Sequence, residues 1–131
     1  MLSFKKVNVN PKNRKTGDCS TRALAYALGI SWADALDLQV EQAKKTGYDV
    51  TSHQVIERVL KKYGYEKMKQ PRKSNNTKYE VRELDRWFTT VETGDPIVVQ
   101  VAHHYVVVDG SNYVDSWDSG YKCAGNYYIK R

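Results

Sequence analysis

The chain is predicted to be an α+β protein in which N-terminal helices pack on a C-terminal antiparallel β-sheet, and three observations carry that prediction. Apolar residues recur at three- and four-residue steps through three segments of the first half. Beyond residue 96 the pattern changes to short β-branched and aromatic runs. Glycines follow each helical segment, and an Asp-Gly pair separates two of the β-branched runs.

The first helix is predicted over Cys19 to Leu28, where Ala23, Leu24, Ala27 and Leu28 mark the buried stripe and Gly29 stops the helix. Cys19 lies four residues before Ala23 and so shares its face, which turns the thiol inward at the first turn. Ser31 is a good N-cap for a second helix carrying Trp32, Ala35, Leu36, Val40 and Ala43 as far as Gly47. A third, from about Ser52, carries Val55, Ile56, Val59, Leu60 and Tyr63 and ends at Gly64. His53 reads as a surface or cap residue at its start. The stretch Lys69 to Lys78, KQPRKSNNTK, reads as a solvated loop or flap. Tyr79 to Val91 reads as a short helix burying Val81, Leu84, Trp87 and Phe88, closed by Thr93-Gly94-Asp95-Pro96.

Ile97 to Ala102, Tyr105 to Val108, Asn112 to Val114 and Asn126 to Lys130 are the predicted strands. A two-residue turn at Asp109-Gly110 makes a hairpin of the middle pair.

The 131 residues suit one domain, 1–131, long enough to bury about two thirds of the unfolded chain's surface. Hydrophobic residues make up 40% and charged residues 27%, which argues against wholesale disorder. The formal charge of +6 favours acidic partners without naming one. Two cysteines form neither a disulfide framework nor a zinc-ligand set, so a reducing, cytoplasmic setting is expected. No window approaches the roughly 18 apolar residues of a membrane span, and no classical export signal is read at the N-terminus.

The residues that can do chemistry begin with Cys19. A thiol at a helix N-terminus has its pKa pulled down by the helix dipole, and it becomes a nucleophile when a base stands beside it. With the turn at Asp109-Gly110, antiparallel pairing sets His104 opposite Asp115, about 5 Å apart. An imidazole beside a carboxylate is held in one tautomer and its cation is stabilised, which suits a general base. A four-residue loop would instead pair His103 with Asp118, and both registers stand at this point. Asp18 beside Cys19 would raise the thiol's pKa unless it faces away. Cys123 lies in a loop with no neighbouring histidine and reads as a packing residue.

Cys19 opening a helix, followed by His104-Tyr-Val-Val-Val and Asn112-Tyr-Val-Asp-Ser-Trp117, resembles the papain-like cysteine peptidase superfamily, in particular its small bacterial and phage-type members. The resemblance implies a papain-like domain with Cys19 as nucleophile, His104 as base and Asp115 as the residue orienting it. Trp117 would shield the His–Asp pair. The family's side-chain oxyanion donor, a glutamine about six residues before the cysteine, falls on Asn13, which offers the same amide on a shorter arm. The implied activity is hydrolysis of a peptide, isopeptide or related amide bond in a protein or peptide substrate through an acyl-enzyme. Deamidase and acyl-transferase chemistry use the same apparatus. No metal and no organic cofactor is required.

The rival from another class is a non-catalytic papain-like shell whose basic surface holds nucleic acid or an acidic protein. Phosphate-mediated binding weakens steeply with salt, and thiol chemistry does not. No membrane association is expected, and the sequence is silent on oligomeric state.

Overall fold

The computed structural model describes residues 1–88 and 94–131. Its α+β architecture has four helices and, among the described residues, one six-stranded mixed sheet. In chain order these are β1 (Ser3–Lys6), α1 (Cys19–Leu28), α2 (Trp32–Thr46), α3 (His53–Lys62), β2 (Tyr65–Met68), α4 (Asp85–Phe88), β3 (Ile97–Val101), β4 (His104–Asp109), β5 (Asn112–Asp115) and β6 (Tyr127–Lys130). A 3₁₀ turn, Val81–Glu83, precedes α4.

The helical half follows its local signals. Gly29 caps α1 in the left-handed region at φ +66°, a conformation glycine adopts without steric cost. Ser31 caps α2 by accepting from the Asp34 N–H at 3.0 Å, and Ser52 caps α3 by accepting from Val55 at 3.3 Å. Leu24, Ile56 and Leu60 are fully buried beneath the three helices. Each contributes about 1.5–3 kcal/mol by leaving water.

The sheet runs in the order β1-β5-β4-β3-β6-β2, antiparallel except for the parallel pair β1 and β5. This corrects the predicted purely C-terminal, antiparallel sheet. Its two edge strands come from the helical half and read SFKK and YEKM, too short and too lysine-rich to show a strand pattern. Charge of that kind is how exposed sheet edges avoid pairing with other chains. The segment predicted as one helix from Tyr79 to Val91 is instead the 3₁₀ turn and the single turn α4, and residues 89–93 lie outside the described residues.

Residues alternate across the sheet. Val98, Tyr105, Val107, Val114 and Tyr128 pack under α1, α2 and α3. Val99, Val106, Val108, Tyr113 and Tyr127 form a second core with Val81 and Leu84 on the opposite face. Both faces of the central strands are therefore covered, which explains their uninterrupted β-branched runs.

The 69–78 segment is a folded turn rather than an open loop. Asn75 Oδ1 accepts from the Thr77 hydroxyl at 2.6 Å, and the Lys73 N–H donates to Thr77 O at 2.9 Å. At its start, the Gln70 side chain donates to Ala124 O at 2.8 Å.

Candidate active site

The turn joining β4 to β5 is Gly110-Ser111, with Asp109 paired to Asn112, Val108 to Tyr113 and Val107 to Val114. The predicted turn at Asp109-Gly110 is thus displaced by one residue. Gly110, at φ +59°, supplies the positive φ such a turn needs at its first position. Moving the turn by one residue shifts the pairing by two positions, and strand residues keep their face when they shift by two. His104 and Asp115 therefore become diagonal rather than direct neighbours, still within reach of long side chains. His104 Nε2 lies 2.5 Å from Asp115 Oδ2.

This register is the one the longer loop was predicted to give, yet His103 and Asp118 do not pair. β5 ends at Asp115, and His103 belongs to the turn between Val101 and His104, at φ +53°. Asp118 instead accepts from the Tyr113 hydroxyl at 2.6 Å and from the Gly120 N–H at 3.1 Å.

Cys19 is the first residue of α1, and its side chain hydrogen-bonds His104. With Nε2 engaged by Asp115, Nδ1 is the ring nitrogen left for the thiol. Burial alone would push the thiol pKa up. The hydrogen bond and charge of His104, the Tyr105 backbone and the Arg22 guanidinium more than offset it, so the thiol sits below its ordinary value. For His104, burial disfavours the cation, but the hydrogen bonds to Asp115 and Cys19 prevail and raise its pKa to about 9. That is above the roughly 8.5 of an ordinary thiol, so the shared proton prefers imidazole to sulfur.

Asp115 is held from several sides. Its Oδ2 accepts from Ser119 Oγ at 2.6 Å, and its Oδ1 accepts from the Ser116 N–H at 2.7 Å. Val7 N–H fixes its carbonyl at 2.9 Å. The Trp117 ring lies 4.8 Å from the His104 ring, centre to centre.

Asp18 faces away from the thiol. Its Oδ2 accepts from Asn10 Nδ2 at 3.1 Å and Trp32 Nε1 at 2.9 Å. Its Oδ1 lies 2.9 Å from Arg22 Nε, an ion pair without hydrogen-bond alignment. Arg22 also donates to Ser116 Oγ and lies 3.9 Å from Asp115 Oδ1, so one guanidinium spans both carboxylates.

Cys19 and His104 open onto a cavity of about 390 Å³ whose walls include Gly17, His53, Gln100 and His103. All three histidines of the chain thus line one cavity. The α1 hydrogen-bond ladder begins with Arg22 N–H to Asp18 O at 2.9 Å, so the Cys19 N–H precedes it at the open helix end. The structure does not bring Asn13 there. Asn13 is exposed, accepts from Asn8 Nδ2 at 3.1 Å, and lines a different groove with Trp117. Cys123 is exposed, and His53 is the exposed first residue of α3.

Sequence reasoning missed Arg22, Ser119, Asn10 and Trp32. The signal for Arg22 was present, because Asp18 and Arg22 stand four apart with the acid first, the favourable helical order. The others lie on separate elements and give no local cue. Among the described residues no cluster of His, Cys, Asp and Glu is arranged to hold a metal ion, and no helix is long and apolar enough to cross a membrane. No family model, no curated protein and no solved structure matches the chain.

Proposed function

We propose that the chain is a papain-like thiol hydrolase acting on a peptide, isopeptide or related amide bond, with Cys19 as nucleophile, His104 as acid and base, and Asp115 as the orienting carboxylate. The observation that carries this reading is the continuous chain of contacts from the Cys19 thiol through the His104 ring to Asp115 Oδ2.

The Cys19 thiolate attacks the carbonyl carbon; a C–S bond forms and the carbonyl π electrons move to oxygen. That oxyanion is received by the Cys19 N–H at the open end of α1. As the carbonyl re-forms, the C–N bond breaks and His104 Nδ1–H gives its proton to the leaving nitrogen. Neutral His104 then takes a proton from water, whose oxygen attacks the thioester and releases the acid and the thiolate. Asp115 holds Nε2–H throughout and stabilises each imidazolium as it forms.

The test is alkylation by iodoacetamide across pH. Cys19 reacts with a midpoint below the roughly 8.5 of a free thiol. Cys19→Ala removes the early-titrating site, and His104→Ala moves its midpoint up to the ordinary range. A Cys19 that titrates like a free thiol and ignores His104→Ala overturns the reading.

A further inference from the structure

A groove of about 740 Å³, lined by Trp117 but not by Cys19 or His104, is not used by the proposed hydrolysis. Its walls carry Lys6 from β1, Arg14 and Lys15 from the loop before α1, and the rings of Phe4 and Trp117. None of those three cations has a carboxylate partner among the described residues. One acid, Asp118, shares the wall, and it is already occupied by Tyr113 and Gly120. The groove is therefore a concave site of ligand size with a surplus of unpaired positive charge.

The basic lip is built, and it is tied to the active site. Asn10 Oδ1 accepts from the Lys12 N–H at 2.9 Å and the Arg14 N–H at 3.4 Å, while Asn8 Nδ2 donates to Arg14 O at 3.3 Å. The same Asn10 donates its amide to Asp18, the residue before Cys19. Trp117 forms a wall of the groove and stacks against His104, so one ring separates the groove from the group that protonates the departing nitrogen.

We infer that this groove binds an acidic stretch of the polypeptide substrate, an inference that rests on the hydrolase reading and names its substrate class. Aspartate and glutamate side chains match cations spread along one wall, and Trp117, 39% exposed, offers an apolar face for the intervening chain. A single-stranded nucleic acid would need a row of exposed rings for successive bases. Trp117 is the one large aromatic side chain on this wall that is more than one third exposed.

Fluorescence anisotropy with a fluorescein-labelled hexaglutamate peptide at low salt tests the inference. Wild-type protein binds the peptide, and hexaglutamine does not bind. The variant Lys6→Glu/Arg14→Glu/Lys15→Glu binds hexaglutamate at least about tenfold more weakly, because three exposed ion pairs of a few-fold each are reversed. The neutral set Lys6→Gln/Arg14→Gln/Lys15→Gln shows an intermediate loss, with circular dichroism confirming that each variant is folded. A control of equal charge change elsewhere, Lys44→Glu/Lys61→Glu/Lys130→Glu, keeps binding within about threefold. Equal losses in the groove and control variants, or hexaglutamine binding as well as hexaglutamate, overturn the inference. So does a single-stranded oligonucleotide of equal charge that binds tenfold more tightly and displaces the peptide. Failed peptide binding with early alkylation of Cys19 removes the groove assignment alone. Intact binding with an ordinary thiol titration removes the hydrolase reading on which it rests.

Discussion

Asp18 and Asp115 are equally buried, at 7% exposure each, and they share the guanidinium of Arg22, yet they do opposite things to the chemistry beside them. The Asp18 carboxylate meets two donors whose protons stay put, the Asn10 amide and the Trp32 indole, and pairs by charge with Arg22. Its charge is thereby spent on structure, at the start of α1. Asp115 meets one group that titrates, His104, along with the fixed donors Ser116 and Ser119. Burial and charge alone do not set what a carboxylate does. What distinguishes Asp115 is a partner whose proton can move.

The sharpest way to break this difference is to take away the carboxylate that faces the histidine. In Asp115→Asn the imidazole loses its orienting anion, and amide turnover is expected to fall by ~10²–10⁴-fold. The alkylation midpoint of Cys19 moves toward ordinary thiol values in the same variant.

Arg22→Gln attacks both carboxylates at once. It leaves two like charges without their shared cation, and urea unfolding is expected to show a loss of about 3 kcal/mol. Because Arg22 also lowers the Cys19 pKa, the alkylation midpoint rises, which a purely structural role would not produce.

Trp32→Phe touches Asp18 only. It leaves Oδ2 one donor short and is expected to cost about 1–2 kcal/mol while the thiol titration stays in place. Should that midpoint move as far as in Asp115→Asn, the two carboxylates are not functionally distinct.

A pH series separates them without touching either. His104 has its folded pKa raised to about 9 from an ordinary value of about 6.5, so its contribution is complete below about 6.5 and lost as pH rises through about 9. Cys19 has its folded pKa lowered, so its contribution is present above about 8.5 and lost as pH falls. Between these limits the two contributions run in opposite directions, so wild-type stability is expected to vary with pH less than either group alone would make it. In Cys19→Ala the histidine term stands alone, and stability measured in urea falls as pH rises from about 6.5.

The smallest effect is expected at Asn13. Its amide lies in the Trp117 groove and not in the Cys19 cavity, so Asn13→Ala should leave Cys19 alkylation unchanged; alanine at φ +50° is expected to cost about 1 kcal/mol of stability. An oxyanion donor would cost about 10²–10³ in turnover.

Much of the site was legible because its geometry depends on parity. The turn prediction erred by one residue, but that error moves pairing by two, and His104 and Asp115 stay on one face. An error of the other parity would have lost the pair. The helices were legible because Ser31, Ser52 and Gly29 announce their ends locally. The edge strands were not, since four-residue segments such as SFKK and YEKM are too short to show an alternation that a window can find. Trp32 was out of reach for another reason: its contact with Asp18 exists only after α2 has folded back over the start of α1, while Asn10 meets Asp18 across a loop with no regular period.

Cys19 is the first residue of α1 and His104 the first of β4, so the thiol and the imidazole both sit at element ends, where native structure frays most readily. The hydrogen bonds that gather on Asp18 and Asp115 clamp those two ends. In kinetic terms they set how long the thiol–imidazole pair stays assembled between openings, and amide exchange at Arg22, bonded to Asp18 O, and at Tyr105, bonded to the Cys19 sulfur, is where that lifetime is written.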